Sequence, residues 1–181
     1  MMHFRNPLRK KRDISDKITY IISEQIIKYT EQVLCEYASM KPSNEGLVYW
    51  GGRVDKNTIT ISTVIAPKTE SSSGSVSTSY ESNFDFVIAL NKREIIEIAQ
   101  VHSHPGNWVD HSDGDSKWAP FKSEGLISIV VPNYGSKGML PLTRCGIHKY
   151  SNEKFIRLSN HYVENHFKIK KLDSEFIDLR R

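Results

Sequence analysis

His102, His104 and Asp115 lie in the run HSHPGNWVDHSDGD, which reads H-x-H-P and, after six intervening residues, S-x-x-D. Two imidazoles and one carboxylate are the protein ligands that a catalytic zinc takes, leaving a fourth position for water. That chemistry belongs to a hydrolase. An isolated H-x-H carries little weight, since most such pairs stand on exposed strand edges, but the neighbouring residues add to it. Pro105 stops the strand directly after the pair, where a cleft can form. Ser112 followed by Asp115 is a capping arrangement that starts a short helix and places the carboxylate in its first turn. Asp110, His111 and Asp113 crowd the same stretch. Asp113 points about 200° away from Asp115 at ~100° per helical residue, while Asp110 and His111 fall in the connecting loop, suited to orienting ligands or touching substrate.

A metal hydrolase with these ligands also needs a base to take a proton from the attacking water. Glu24, Glu31 and Glu36 read as solvated charges on a helix. Glu45 stands at the mouth of an apolar strand, and spacing alone does not single it out.

These residues need elements to position them. Residues 15–40 carry Ile18, Ile22, Ile26, Val33 and Tyr37 at helical spacing, with Ser15 as cap and Pro42 as stop, although TYII alone also fits a strand. EGLVYWGGRV and TITISTVIAP alternate around Asp55-Lys56-Asn57, the pattern of a β-hairpin. Residues 67–83 are serine-rich and read as a long mobile loop. FDFVIALNKREI fits a short helix, and IIEIAQVHSH a strand whose period of two turns His102 and His104 to one face. LISIVVP, RCGIHKYS and KFIRLS read as further strands, and the tail beyond Asn160 as a loosely spaced helix. The fold class is α+β: a central mixed sheet flanked by helices in an α/β sandwich.

The net charge is +4, but Arg5, Arg9, Lys10, Lys11 and Arg12 hold five of the 25 basic side chains, leaving 20 against 21 acidic ones. The body is therefore near neutral, and residues 1–14 read as a basic, solvated arm ahead of one domain over 15–181. Nucleic acid is not the expected partner. There is no apolar run of the ~18 residues that a membrane span needs, no secretory signal, and only Cys35 and Cys145, so a reducing cytoplasmic setting is expected.

Glu45 in EGLVYWGG, then His102-Ser103-His104-Pro105, then Ser112-Asp113-Gly114-Asp115 resembles the JAMM (MPN+, JAB domain) metalloproteases. The order of elements agrees over about residues 15–150. The resemblance implies a cytidine-deaminase-like fold, zinc on His102, His104 and Asp115, Glu45 as general base, and Ser112 as donor to the oxyanion. It implies a peptidase or isopeptidase cutting the amide bond after the C-terminal glycine of a ubiquitin-like protein. The bare domain is similar to small bacterial JAB proteins found beside E1-like and E2-like partners in conjugation or antiphage systems. Sulfur-carrier processing, a small-molecule metallohydrolase, a non-catalytic binding module, and a nucleic-acid role as in RadC-like relatives are the rival readings.

Two departures from the family pattern bear on the groove. The segment before HSHP is short, so the helix usual there is expected to be reduced or absent, and Pro120 should cut the Ser112 helix short. Trp108, in the metal loop, and Ser103, between the histidines, are candidate substrate contacts. The serine-rich loop is a candidate flap over the tail. Cys145 reads as a small buried side chain, and His148, His161 and His166 as surface or capping residues.

Overall fold

The run LVYWGG at residues 47–52 contains no polar side chain, which suits a strand covered on both faces, and the chain places it in the middle of a sheet with all six residues buried. The computed structural model describes residues 17–181, the side chain of Trp118 excepted. In order they form β1 (Thr19–Ser23), α1 (Glu24–Ala38), β2 (Leu47–Asp55), β3 (Thr58–Ala66), β4 (Glu70–Ser72), β5 (Ser75–Ser77), α2 (Tyr80–Asn91), β6 (Ile96–Ser103), α3 (Asp113–Trp118), β7 (Ile127–Val131), β8 (Gly146–Ser151), β9 (Lys154–Arg157), α4 (Asn160–His166), β10 (Phe167–Lys170) and β11 (Glu175–Asp178). The basic arm and Ser15 lie outside the described residues.

The main sheet is mixed, ordered β10-β1-β3-β2-β6-β7-β8-β9, with β11 also on β3. β1 and β11 share one edge of β3 end to end, β1 along Thr58–Ile61 and β11 along Thr63–Ala66. Val48 and Trp50 join the core under α1. Leu47 and Tyr49 face the other way and pack with Ile65, Phe86 and Leu90 under α2. The two helices thus sandwich β2, which gives the α+β architecture expected. Burying an aliphatic side chain of this kind contributes about 1.5–3 kcal/mol. The Trp50 indole N–H donates to Thr30 Oγ1 at 2.8 Å, so its polar atom is satisfied inside the core.

The first helix is shorter than its periodicity suggests. TYIIS alternates in burial and enters the sheet as β1 between β10 and β3, so α1 starts only at Glu24, capped by Ser23. The hairpin β2–β3 turns through Lys56 and Asn57 as expected. Three other expectations are corrected. The serine-rich segment is a two-stranded hairpin, β4–β5, whose backbone pairs Ser71 with Val76. The helix before β6 is not reduced: it runs twelve residues because Ser79 Oγ accepts from Ser82 N–H and starts it early. The tail is one short helix and then strands β10 and β11, which find unpaired edges at β1 and β3. Among the described residues no helix is long and apolar enough to cross a membrane.

Candidate metal centre and active site

His102 is the last residue but one of β6, opposite Leu47 of β2, and His104 follows just beyond the strand, so the period of two brings both rings to one place. Their Nε2 atoms are 3.2 Å apart, and Asp115 reaches them at 3.4 Å (Oδ1 to His102) and 3.2 Å (Oδ2 to His104). The donor atoms of a tetrahedral zinc bound at 2.0–2.1 Å stand about 3.3 Å from one another. The three side chains therefore offer their donors at the separation that such an ion requires. The histidines are buried and the carboxylate is half-buried.

Two of the three candidate ligands, His104 and Asp115, are held by a second contact. The Trp108 carbonyl lies 3.1 Å from His104 Nδ1, which donates its proton there, so Nε2 is the ring atom turned to Asp115 and the one a metal would take in place of its proton. The Trp108 indole stacks on the same ring, with centroids 5.3 Å apart, while remaining 54% exposed. Asp115 is fixed by a reciprocal cap on α3: Ser112 Oγ accepts from Asp115 N–H at 3.0 Å, and Asp115 Oδ2 accepts from Ser112 N–H at 2.7 Å. Because Ser112 Oγ is an acceptor in the cap, its own O–H remains available to donate elsewhere, and Ser112 lines the groove beside the ligands. Pro120 does end this helix early; α3 has six residues.

Charge follows this arrangement. Burial alone would raise the Asp115 pKa, but bonds to His102, His104 and the Ser112 N–H hold it well below the usual carboxylate range. Burial lowers the His104 pKa, yet Asp115, the Trp108 carbonyl and Glu45 together carry it above its ordinary value. The pocket thus favours positive charge at its centre, whether a proton or a cation.

Glu45 is brought to the same place from the other side. It is 5% exposed, and burial lifts its carboxyl to about 7, with the His104 charge opposing and the Asp115 charge assisting. A carboxyl poised near neutrality is suited to moving a proton in both directions. Ser103, expected beside the substrate, is instead fully buried, and its Oγ accepts from Gly46 N–H at 3.0 Å. With Ser103 N–H donating to Gly46 O at 3.1 Å, it fastens the segment that carries Glu45 to the strand that carries His102.

The structure adds residues that the sequence did not single out. Tyr49, Gln100, Ser128, His148 and Arg157 stand in register across five strands. His148, expected at the surface, is 3% exposed, and its ring packs 4.2 Å from that of His111. His111 Nε2 lies 2.8 Å from Ser128 Oγ, which also accepts from Gln100 Nε2 at 3.2 Å. Ser128 thus links Gln100 of β6 to His111 of the metal loop. Burial, joined by repulsion from neighbouring cationic groups, pushes His111 down to about 3 and His148 to about 4, so both are neutral at pH 7. Arg157 donates to Asp110 Oδ1 at 2.7 Å and to the Val109 carbonyl at 3.2 Å, which ties the metal loop to the sheet edge. Asp113 is exposed and does not join the site. Cys145 is buried as expected, its thiol pushed up to about 12 by burial.

A groove of about 750 Å³ runs past the ligands, from Ser75–Thr78 of the hairpin on one side to Gly114, Asp115 and Pro120 on the other.

No family model matches this chain. Over 95 residues, 50% of the chain, it is 33% identical to a protein of Sinorhizobium fredii named probable metalloprotease y4jG, and this match spans 58% of that relative's length. In fold it is similar to the solution structure of protein DSY2949 from Desulfitobacterium hafniense, with a TM-score of 0.62 over 86% of this chain and 95% of the other. Those two sequences are 14% identical, so the likeness is one of fold.

Proposed function

We propose that this chain is a zinc-dependent peptidase of the JAMM type that hydrolyses the amide bond after the C-terminal glycine of a ubiquitin-like protein. The observation that carries the reading is the convergence of His102, His104 and Asp115 at tetrahedral donor spacing, with the buried Glu45 carboxyl close enough to be shifted by the charges of His104 and Asp115. The 33% identity to a probable metalloprotease supports the broader part of it.

A zinc held by His102, His104 and Asp115 supplies a Lewis acid for the scissile carbonyl and lowers the pKa of a water beside it. Glu45 takes the proton from the attacking water and later delivers it to the leaving amine. The Ser112 O–H donates to the oxygen that gains charge in the transition state. His111 and His148, both neutral, do not add a competing cation beside the ligands.

The groove favours an extended tail. Within its small sheet β5 is paired only with β4, which leaves its other edge to accept a strand, and Ser75, Val76 and Ser77 of that strand line the groove. Tyr80, Phe84 and Val87 are 95%, 65% and 39% exposed on one face of α2, and Tyr80 also borders the groove. This apolar stripe suits the folded body of a substrate whose tail enters beside it. E1-like and E2-like proteins of a bacterial conjugation or antiphage system are the partners that this reading proposes.

The test is incubation with ubiquitin-like fusions and lysine conjugates, with zinc present or chelated. Cleavage after the terminal glycine that chelation abolishes is expected. Its absence across several modifiers would sink the peptidase reading.

A further inference from the structure

The turn after β7 joins three parts of the site that are far apart in sequence. His104 N–H donates to the Val131 carbonyl at 2.9 Å, and the His104 carbonyl accepts from Tyr134 N–H at 2.7 Å. The peptide of this ligand is thereby clasped from both sides by one turn. To close it, Asn133, Tyr134 and Gly135 all adopt left-handed backbone, with φ of 54°, 52° and 76°. Asparagine and glycine enter that region readily, but for a bulky residue it is a strained outlier. A tyrosine is therefore an expensive choice here unless its side chain is used.

It is used at the hairpin. The Tyr134 hydroxyl donates to the Ser73 carbonyl, at the β4–β5 turn, at 2.7 Å. The adjacent Ser72 carbonyl accepts from the backbone N–H of Glu45 at 2.8 Å. Asn44 Nδ2 lies 3.3 Å from both oxygens of Ser71. A hairpin with three-residue strands is marginal by itself in water, so its position depends on these clamps together with the packing of Val76 against the core under α2.

We propose that Tyr134 is a positioning residue for the reaction. Its backbone fixes the peptide of His104, and its hydroxyl holds the hairpin wall of the groove and, through Ser72, the segment that carries Glu45. The effect on turnover rests on the peptidase reading; the effect on the hairpin does not. If the wall opens more often in the free protein, binding of an extended tail must close it again. The loss then falls on KM and spares kcat.

Tyr134→Phe removes only the hydroxyl and keeps the ring and the backbone bond to His104. In the full chain, hydrogen exchange at the amides of Glu45 and residues 70–77 is expected to accelerate about fivefold, the scale of one neutral hydrogen bond. Zinc affinity and the exchange of core strand amides should stay at wild-type values. KM for a fusion with an extended tail should rise two- to fivefold, roughly in step with the exchange, with kcat unchanged. Wild-type exchange at Glu45 and the hairpin would overturn the clamp, whether or not any substrate is cleaved. Faster exchange with KM unchanged, or a fall in kcat alone, would overturn the positioning role. A wild-type protein that cleaves nothing would count against the peptidase reading, and the exchange arm would still decide the clamp.

Discussion

Gly146 opens β8 where the metal loop crosses it, and Gly146→Ala tests how tightly that loop is coupled to the ligands. A Cβ at this position would lie far inside van der Waals contact distance of the Val109 carbonyl oxygen and 2.7 Å from its carbon. Ordinary contact begins near 3.4 Å, so the two backbones must part by at least 0.7 Å at the carbon and by more at the oxygen. The Val109 carbonyl also accepts from Arg157, and the neighbouring Trp108 carbonyl holds the Nδ1 proton of His104. Displacing the loop loosens both. Overpacking of this kind costs about 1–3 kcal/mol, and loss of a hydrogen bond behind a ligand typically weakens metal binding about 10- to 100-fold. Competition with a chromophoric chelator should show zinc affinity reduced within that range, and urea unfolding of the metal-free protein should show the stability loss. A variant that is less stable but binds zinc as tightly as wild type would refute the coupling. One unchanged in both would refute the packing argument itself.

Three further outcomes follow from the carboxyl groups of Glu45 and Glu97. Glu45→Gln should keep zinc bound and lower kcat by about 10²- to 10⁴-fold, the usual contribution of a general base, and retained turnover would remove Glu45 from that role. In the wild type the acid limb of kcat/KM should lie at or below pH 7, because Glu45 sits at about 7 without metal and a nearby cation favours its charged form; a limb well above 7 would contradict this. Glu97 is a separate case: its Oε1 is sealed from solvent with no hydrogen-bond partner among the described residues, and burial lifts the group to about 8. Between pH 4.5 and 8 the unfolded chain releases this proton while the folded chain keeps it. Stability should therefore fall as pH rises through that window, by no more than about 1.4 kcal/mol per pH unit from this group. Glu97→Gln should flatten the trend in urea midpoints measured at pH 5 and pH 8, and parallel trends in the two proteins would refute the assignment.

The site was most legible where its signals are local. His102 and His104 share a face by strand period, and Ser112 and Asp115 cap one helix, so each pair is written within four residues. Glu45 was reachable only through the family pattern, since nothing in its own neighbourhood distinguishes a strand-mouth glutamate from a solvated one. His148 and Ser128 take part because three strands align in register, and register between distant strands is not written in either strand alone. The hairpin over 70–77 is short and carries a single apolar side chain, Val76, so neither alternation nor hydrophobicity marks it, and its position is set by that side chain packing on the core and by bonds from Asn44, Glu45 and Tyr134. The tail has the spacing of neither a clean helix nor a clean strand, and its strands β10 and β11 follow from unpaired edges in the sheet. Glu31 was read as solvated, but it accepts the Met139 N–H at 2.7 Å, a tertiary contact that helical periodicity does not reveal.

X-ray absorption on the zinc-loaded protein decides whether His102, His104 and Asp115 hold one zinc together. One zinc per chain is expected, with a four-coordinate shell of nitrogen and oxygen donors at about 2.0–2.1 Å, two of them imidazole, and loss of that zinc in Asp115→Ala. A protein that fails to retain zinc, or one whose zinc shell is unchanged in Asp115→Ala, would contradict it.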